Sequence, residues 1–154
     1  MISVQLIGME NPLYQEESEL RNKILLRPIG VPDHAWEMND AKAWHFAALD
    51  GNLLVGCVVL VPLNERSDKA QLIQMAVETD RQRQGIGRLL AQTLLQFALE
   101  RQIAEILVHA RADTVEFYSK LGFETYGEAF EEVGIQHRHM RMPLKKREEA
   151  DNQC

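Results

Sequence analysis

The chain has 154 residues, 45% of them hydrophobic and 26% charged, with 9 Gly and 5 Pro, a composition that suits one folded domain and excludes a disordered, collagen-like or low-complexity polymer. Its 17 basic and 23 acidic residues give a net charge of −6, which argues against a broad electrostatic footprint for nucleic acid or anionic membrane. Any anion must therefore be held by a local site.

The amino terminus lacks the basic, apolar and small-residue regions of a signal peptide, Arg21 being the first basic residue. A cytoplasmic location is expected. Val4 to Ile7 suits a short strand, and Asn11-Pro12 precedes a first helix over Leu13 to Leu26, where Leu13, Leu20, Ile24 and Leu25 recur at roughly helical spacing. Pro28, Gly30 and Pro32 end that helix and leave an irregular segment to about Ala41, in which Trp36 and Met38 need a surface to pack on.

Two strand-like runs, Trp44 to Leu49 and Leu53 to Leu63, flank Asp50-Gly51-Asn52 and predict a hairpin. The second run is too short to span a bilayer. Cys57 lies inside it and Cys154 at the last position, so the two cysteines form neither a disulfide framework nor a metal-ligand spacing, and no metal is expected. Ala70 to Val77 reads as a third strand. From Ile86 the apolar positions Ile86, Leu89, Leu90, Leu94, Phe97 and Ala98 follow the helical rule to about Arg101. Ile106 to Ala110 is a short strand, Thr114 to Leu121 a short helix stopped by Gly122, and His137 to Leu144 a final strand. Lys145 to Cys154 is a polar tail, with the domain proper in residues 1–144. The resulting class is α+β, strands first.

Gln82-Arg83-Gln84-Gly85-Ile86-Gly87-Arg88 falls between the third strand and the long helix. The first amides of a helix have no internal partner and lie at the positive end of its dipole, and glycines let an anion approach the backbone. Arg81, Arg83 and Arg88 add cations. The segment is neither a Walker A loop, since Arg88-Leu89 stands where Lys-Ser/Thr belongs, nor a dinucleotide fingerprint, since Leu90 replaces the third small residue. A glycine-rich connection with solvated arginines is the plain alternative.

The run Gln82-x-x-Gly85-x-Gly87, after a strand and before a helix, resembles the acetyl-CoA pyrophosphate loop of the GNAT N-acetyltransferases, and Phe117-Tyr118-Ser119-Lys120-Leu121-Gly122-Phe123 is similar to a second motif of that superfamily. Gly127, Phe130, Glu132, Gly134-Ile135, His137 and Met140 are further similar to its ElaA-like branch. The resemblance implies a three-layer fold with a mixed, mostly antiparallel sheet of about six or seven strands and helices on both faces. It implies acetyl transfer from acetyl-CoA, as cosubstrate, to a small-molecule or peptide amine, and homodimers are common among relatives.

Carried onto this chain, the resemblance gives cofactor binding to Gln82, Arg83, Gln84, Gly85, Ile86, Gly87 and Arg88, and to the backbone of Met75 and Val77. Arg111 stands where the family commonly has Asn and is taken as a phosphate contact. Tyr118 is the expected general acid, since a phenol can protonate a departing thiolate. Gln71 and Gln74 occupy positions where some relatives carry a basic Glu, so the candidates for that base are His45, His109, His137, Glu37, Glu78 or water. His137 and His139 form a His-x-His pair without an evident third metal ligand. A bulky residue in place of Gly87 should raise the KM for acetyl-CoA steeply, which steady-state kinetics can check. Two other classes compete with an enzyme: an acyl-CoA-binding sensor or regulatory module, and a Rossmann-type protein stabilised by NAD.

Overall fold

The computed structural model describes residues 1–144; the predicted polar tail lies outside the described residues. Seven strands make a mixed sheet in the order β1-β2-β3-β4-β5-β7-β6. In chain order the elements are β1 (Ile2–Ile7), α1 (Leu13–Arg21), β2 (Trp44–Asp50), β3 (Leu53–Pro62), β4 (Lys69–Val77), α2 (Ile86–Glu100), β5 (Glu105–Arg111), α3 (Val115–Leu121), β6 (Glu124–Glu132) and β7 (Ile135–Pro143). The chain divides into two compact units, Met1–Val61 with Leu72–Leu94, and Pro62–Gln71 with Leu95 onward.

In the first unit β1 pairs antiparallel with β2, and β2 with β3 through the Asp50-Gly51-Asn52 turn, where Gly51 takes φ +62. Leu54 to Val61 are buried without a break, as the apolar run requires. Ile7, Leu20, Ala47, Leu49, Leu54, Cys57 and Ala76 form a buried cluster, against which Leu13, Ile24 and Leu25 pack. Each of its Leu and Ile side chains contributes about 1.5–3 kcal/mol on leaving water. Asn11 starts α1 by accepting the Leu13 N–H on its side chain at 2.9 Å. The predicted helix to Leu26 continues in fact as a π turn, Asn22–Leu26, and ends at Gly30 in the left-handed conformation. Met38 finds no surface: it is 78% exposed, whereas Trp36 is partly buried.

Gly56 on β3 sets how closely α2 approaches. A Cβ there would meet Ile86 Cγ2 at 3.1 Å, Leu90 Cδ1 at 3.2 Å and the Ala76 carbonyl at 3.3 Å. Gly56→Val should cost about 1–3 kcal/mol by overpacking. Urea unfolding measures that loss, and an unchanged midpoint would mean that α2 can move out freely.

In the second unit β5 and β6 both pair antiparallel with β7, and Met140 lies opposite Val108 and Thr125. Ile106, Val108, Ala110, Tyr118, Phe123, His137 and Met140 are among its buried residues. Strand β6 has no counterpart among the elements read from the sequence. Its nine residues, Glu-Thr-Tyr-Gly-Glu-Ala-Phe-Glu-Glu, are exposed at seven positions, and its register with β7 shifts between Tyr126 and Phe130. An edge strand that buries nothing fully carries no apolar alternation to detect.

Candidate active site

The turn before α2 is built by backbone and side-chain bonds within the first unit. Glu78 N–H donates to the Val55 carbonyl at 2.9 Å, and Arg81 N–H to the Glu78 carbonyl at 2.9 Å. Gln82 Nε2 donates to the Val77 carbonyl at 3.0 Å, folding the loop back onto the end of β4. Arg83 and Gly85 take φ +66 and +84 on either side of Gln84, and alternating handedness of this kind is how backbone turns build anion-binding nests. Leu89 N–H makes the first α-helical bond, to the Gly85 carbonyl at 3.0 Å, so the amides of Ile86, Gly87 and Arg88 precede the helical ladder.

The three arginines divide. Arg81 Nη1 lies 2.6 Å from Asp50 Oδ2 and braces the β2–β3 turn, and that guanidinium holds the Asp50 carboxyl below its usual range. Arg83 and Arg88 are exposed, beside the bared amides. Positive charge, helix dipole and a position without Cβ at Gly85 fit a phosphate-bearing ligand. Met75 and Val77 lie partly buried at the end of β4, the Val77 carbonyl already engaged by Gln82.

Beneath the end of β4 lies a polar cluster that sequence reasoning did not find. Glu17, Arg21, Asp40 and His45 are all buried, at 0%, 1%, 2% and 1% exposure. Arg21 Nη1 bonds Glu17 Oε2 at 2.9 Å and Asp40 Oδ2 at 2.8 Å, and its Nη2 bonds Asp40 Oδ1 at 3.1 Å. Tyr14 adds its hydroxyl to Asp40 Oδ2 at 2.5 Å. His45 Nε2 faces the Asp40 carbonyl at 2.9 Å and must donate there, while Nδ1 meets Glu17 Oε2 at 2.9 Å. Glu17, Asp40 and His45 have the donor types of a metal site, yet Arg21 bonds both carboxylates. The available signal was Glu17 and Arg21 at i,i+4 in a helix whose remaining apolar residues face the core.

Burial disfavours the His45 imidazolium, but the hydrogen bond and charge of Glu17 outweigh it, and the net shift is upward. A folded-state value above the ordinary value of about 6.5 means a stabilising contribution fully present below that pH and lost as pH rises through the raised value. Thermal melts should therefore show stability declining as pH rises from about 6.5, a decline that His45→Gln abolishes. The same slope in that variant would assign it to other groups.

The other candidate bases are placed as follows. Glu37 accepts Ser18 Oγ at 2.5 Å and faces His34 Nδ1 at 2.6 Å. Glu78 pairs with Lys23 Nζ at 2.5 Å. In the second unit His109 Nδ1 meets Glu132 Oε1 at 3.2 Å, and His137 donates from Nδ1 to the Ile135 carbonyl at 2.8 Å. The His137 and His139 rings both stack on Phe130, with centroids 5.6 Å and 4.2 Å from it.

Tyr118 is 7% exposed, its ring edge-on to Phe117 at 5.1 Å and Phe123 at 5.6 Å. Phe123 N–H donates to the Tyr118 carbonyl at 3.1 Å around Gly122, whose φ of +113 closes α3. Burial alone pushes the phenol well above its ordinary pKa, so it is a protonated donor across the physiological range. Arg111 is exposed at the end of β5, its Nε 4.0 Å from Asp113.

The strand-to-helix turn before α2 thus belongs to a seven-stranded α+β sheet. Residues 29–144 match the family model described as an acetyltransferase (GNAT) domain, and the chain belongs to the GNAT acetyltransferase family. It is 29% identical over 83 residues to human N-acetyltransferase 8, a match covering 50% of this chain and 37% of that protein, so it spans well under half the length of that relative. Among solved structures it is similar to Escherichia coli ElaA, with a TM-score of 0.80, 19% identity and coverage of 92% and 99% of the two chains. An aminoglycoside 6'-N-acetyltransferase complexed with coenzyme A gives a TM-score of 0.76 at 20% identity, covering 94% and 98%.

Proposed function

We propose that residues 1–144 form a single acetyl-CoA-dependent N-acetyltransferase domain that moves an acetyl group to a primary amine by direct attack. The observation that carries this reading is the turn before α2, where Arg83, Gly85 and the amides of Ile86, Gly87 and Arg88 stand ahead of the helical ladder, at the positive end of the helix where a diphosphate would sit. Gln82 and Gln84 hold that turn in shape through their bonds to the Val77 and Asp80 carbonyls. Arg111 is assigned a second phosphate contact.

The backbone N–H groups of Met75 and Val77 are assigned to the acyl and pantetheine end of the cosubstrate. An N–H directed at the thioester oxygen stabilises the charge that develops there, an effect worth about 3 kcal/mol in comparable sites. Tyr118 is assigned the proton donated to the leaving thiolate, a role suited to a phenol that burial keeps protonated. The acceptor is a small-molecule or peptide amine, and the reaction belongs in the cytoplasm.

The test is release of free thiol from acetyl-CoA across a panel of polyamines, amino sugars and peptides with Lys or free amino termini. Acceptor-dependent release with a matching acetylated product supports the enzyme. Tight acetyl-CoA binding with no turnover on any acceptor would replace it by a sensor or regulatory module.

A further inference from the structure

Gln74 sits within β4 at φ +52, a left-handed conformation that a non-glycine residue holds in a strand only where its surroundings over-determine it. Here they do. Its Oε1 accepts from Arg21 Nε at 2.5 Å and its Nε2 donates to the Trp36 carbonyl at 2.9 Å. Arg21 Nη2 donates to that same carbonyl at 3.1 Å, closing a ring of three residues. Arg21 is itself fixed by Glu17 and Asp40, so the Gln74 side chain is tied to a buried post on α1.

The Gln74 main chain is held from the other side. Cys57 on β3 directs its thiol at the Gln74 carbonyl, with the sulfur 3.9 Å away. In a trans peptide the carbonyl and the following N–H point in opposite directions, and no peptide bond among the described residues is cis. With the Gln74 carbonyl turned toward Cys57, the Met75 N–H points away from β3.

We propose that Gln74 and Arg21 are positioning residues: the Arg21–Gln74–Trp36 ring holds β4 in the bend that aims the Met75 N–H at the thioester carbonyl. The inference rests on the acetyl-CoA reading above. Neither side chain is asked to touch the reacting atoms. The ring acts through the backbone geometry of residues 74 and 75.

The probe is acetyl-CoA labelled with carbon-13 at the acetyl carbonyl, followed by difference infrared spectroscopy and calorimetry on the full chain. Bound to the wild type, the carbonyl stretch should shift to lower frequency than in free acetyl-CoA. Gln74→Met keeps length and volume but makes neither bond; it should lose most of that shift and at least tenfold in kcat, with Kd within threefold of wild type. Gln74→Glu retains an acceptor for Arg21 and should recover most of the shift. If Gln74→Met does not fold, Gln74→Leu, which likewise makes neither bond and does not favour φ +52 by itself, gives the same reading.

A wild-type carbonyl shift that persists in Gln74→Met or Gln74→Leu overturns the positioning role and leaves the acetyl-CoA reading standing. So does a loss of shift that only tracks weakened binding. A wild type that does not bind acetyl-CoA overturns both.

Discussion

Replacing Arg21 with Ala should destabilise the fold by about 3–5 kcal/mol, the range for removing one partner of a buried ion pair. The guanidinium is 1% exposed and bonds Glu17 and Asp40, which are themselves 0% and 2% exposed. Without it two carboxylates face each other in the core, with His45 beside Glu17 and the Tyr14 hydroxyl on Asp40. One carboxylate oxygen, Glu17 Oε1, already has no hydrogen-bond partner among the described residues, so the cluster has little reserve to absorb the loss. Arg21→Lys should recover only part, since an ammonium cannot bond Asp40 through two parallel N–H groups. Denaturant unfolding of the two variants checks both statements. A loss below about 1 kcal/mol for Arg21→Ala would place the cluster among ordinary surface pairs.

The second large effect falls on Tyr118. Tyr118→Phe should lower kcat by about 100-fold or more, the usual contribution of a positioned general acid, while calorimetry finds acetyl-CoA affinity unchanged. The ring keeps its edge-on contacts with Phe117 and Phe123, so the variant should fold normally. Burial raises the phenol, and a general acid works in its protonated form. Its loss of activity with rising pH should therefore begin above the ordinary tyrosine value of about 10, and not near neutrality. Wild-type kcat in Tyr118→Phe would return the residue to plain core packing.

The elements that were legible in the sequence are those whose physics is local or periodic. α2 was marked by apolar residues from Ile86 to Ala98 at helical spacing, and the turn before it by Gly85 and Gly87. The β2–β3 hairpin was marked by Asp50-Gly51. β6 was not legible because it is an exposed edge strand rich in Glu, and Met38 was misread because an apolar residue need not find a cover.

The polar cluster was illegible for a different reason. Glu17 and Arg21 on α1, Asp40 before β2, His45 on β2 and Gln74 on β4 meet only once the chain is folded. The left-handed backbone of Gln74 has no sequence signature either, because its cause is Arg21, 53 residues earlier. In the sequence Gln74 registered only as a base that was missing.

The most direct measurement is amide NMR of the uniformly labelled chain titrated with coenzyme A and, separately, with acetylpantetheine, which lacks the diphosphate. A diphosphate seated on the opening of α2 predicts that the amides of Gly85, Ile86, Gly87 and Arg88 move with coenzyme A and stay in place with acetylpantetheine. Unmoved amides at those four residues, in a sample that nonetheless binds coenzyme A, would contradict it.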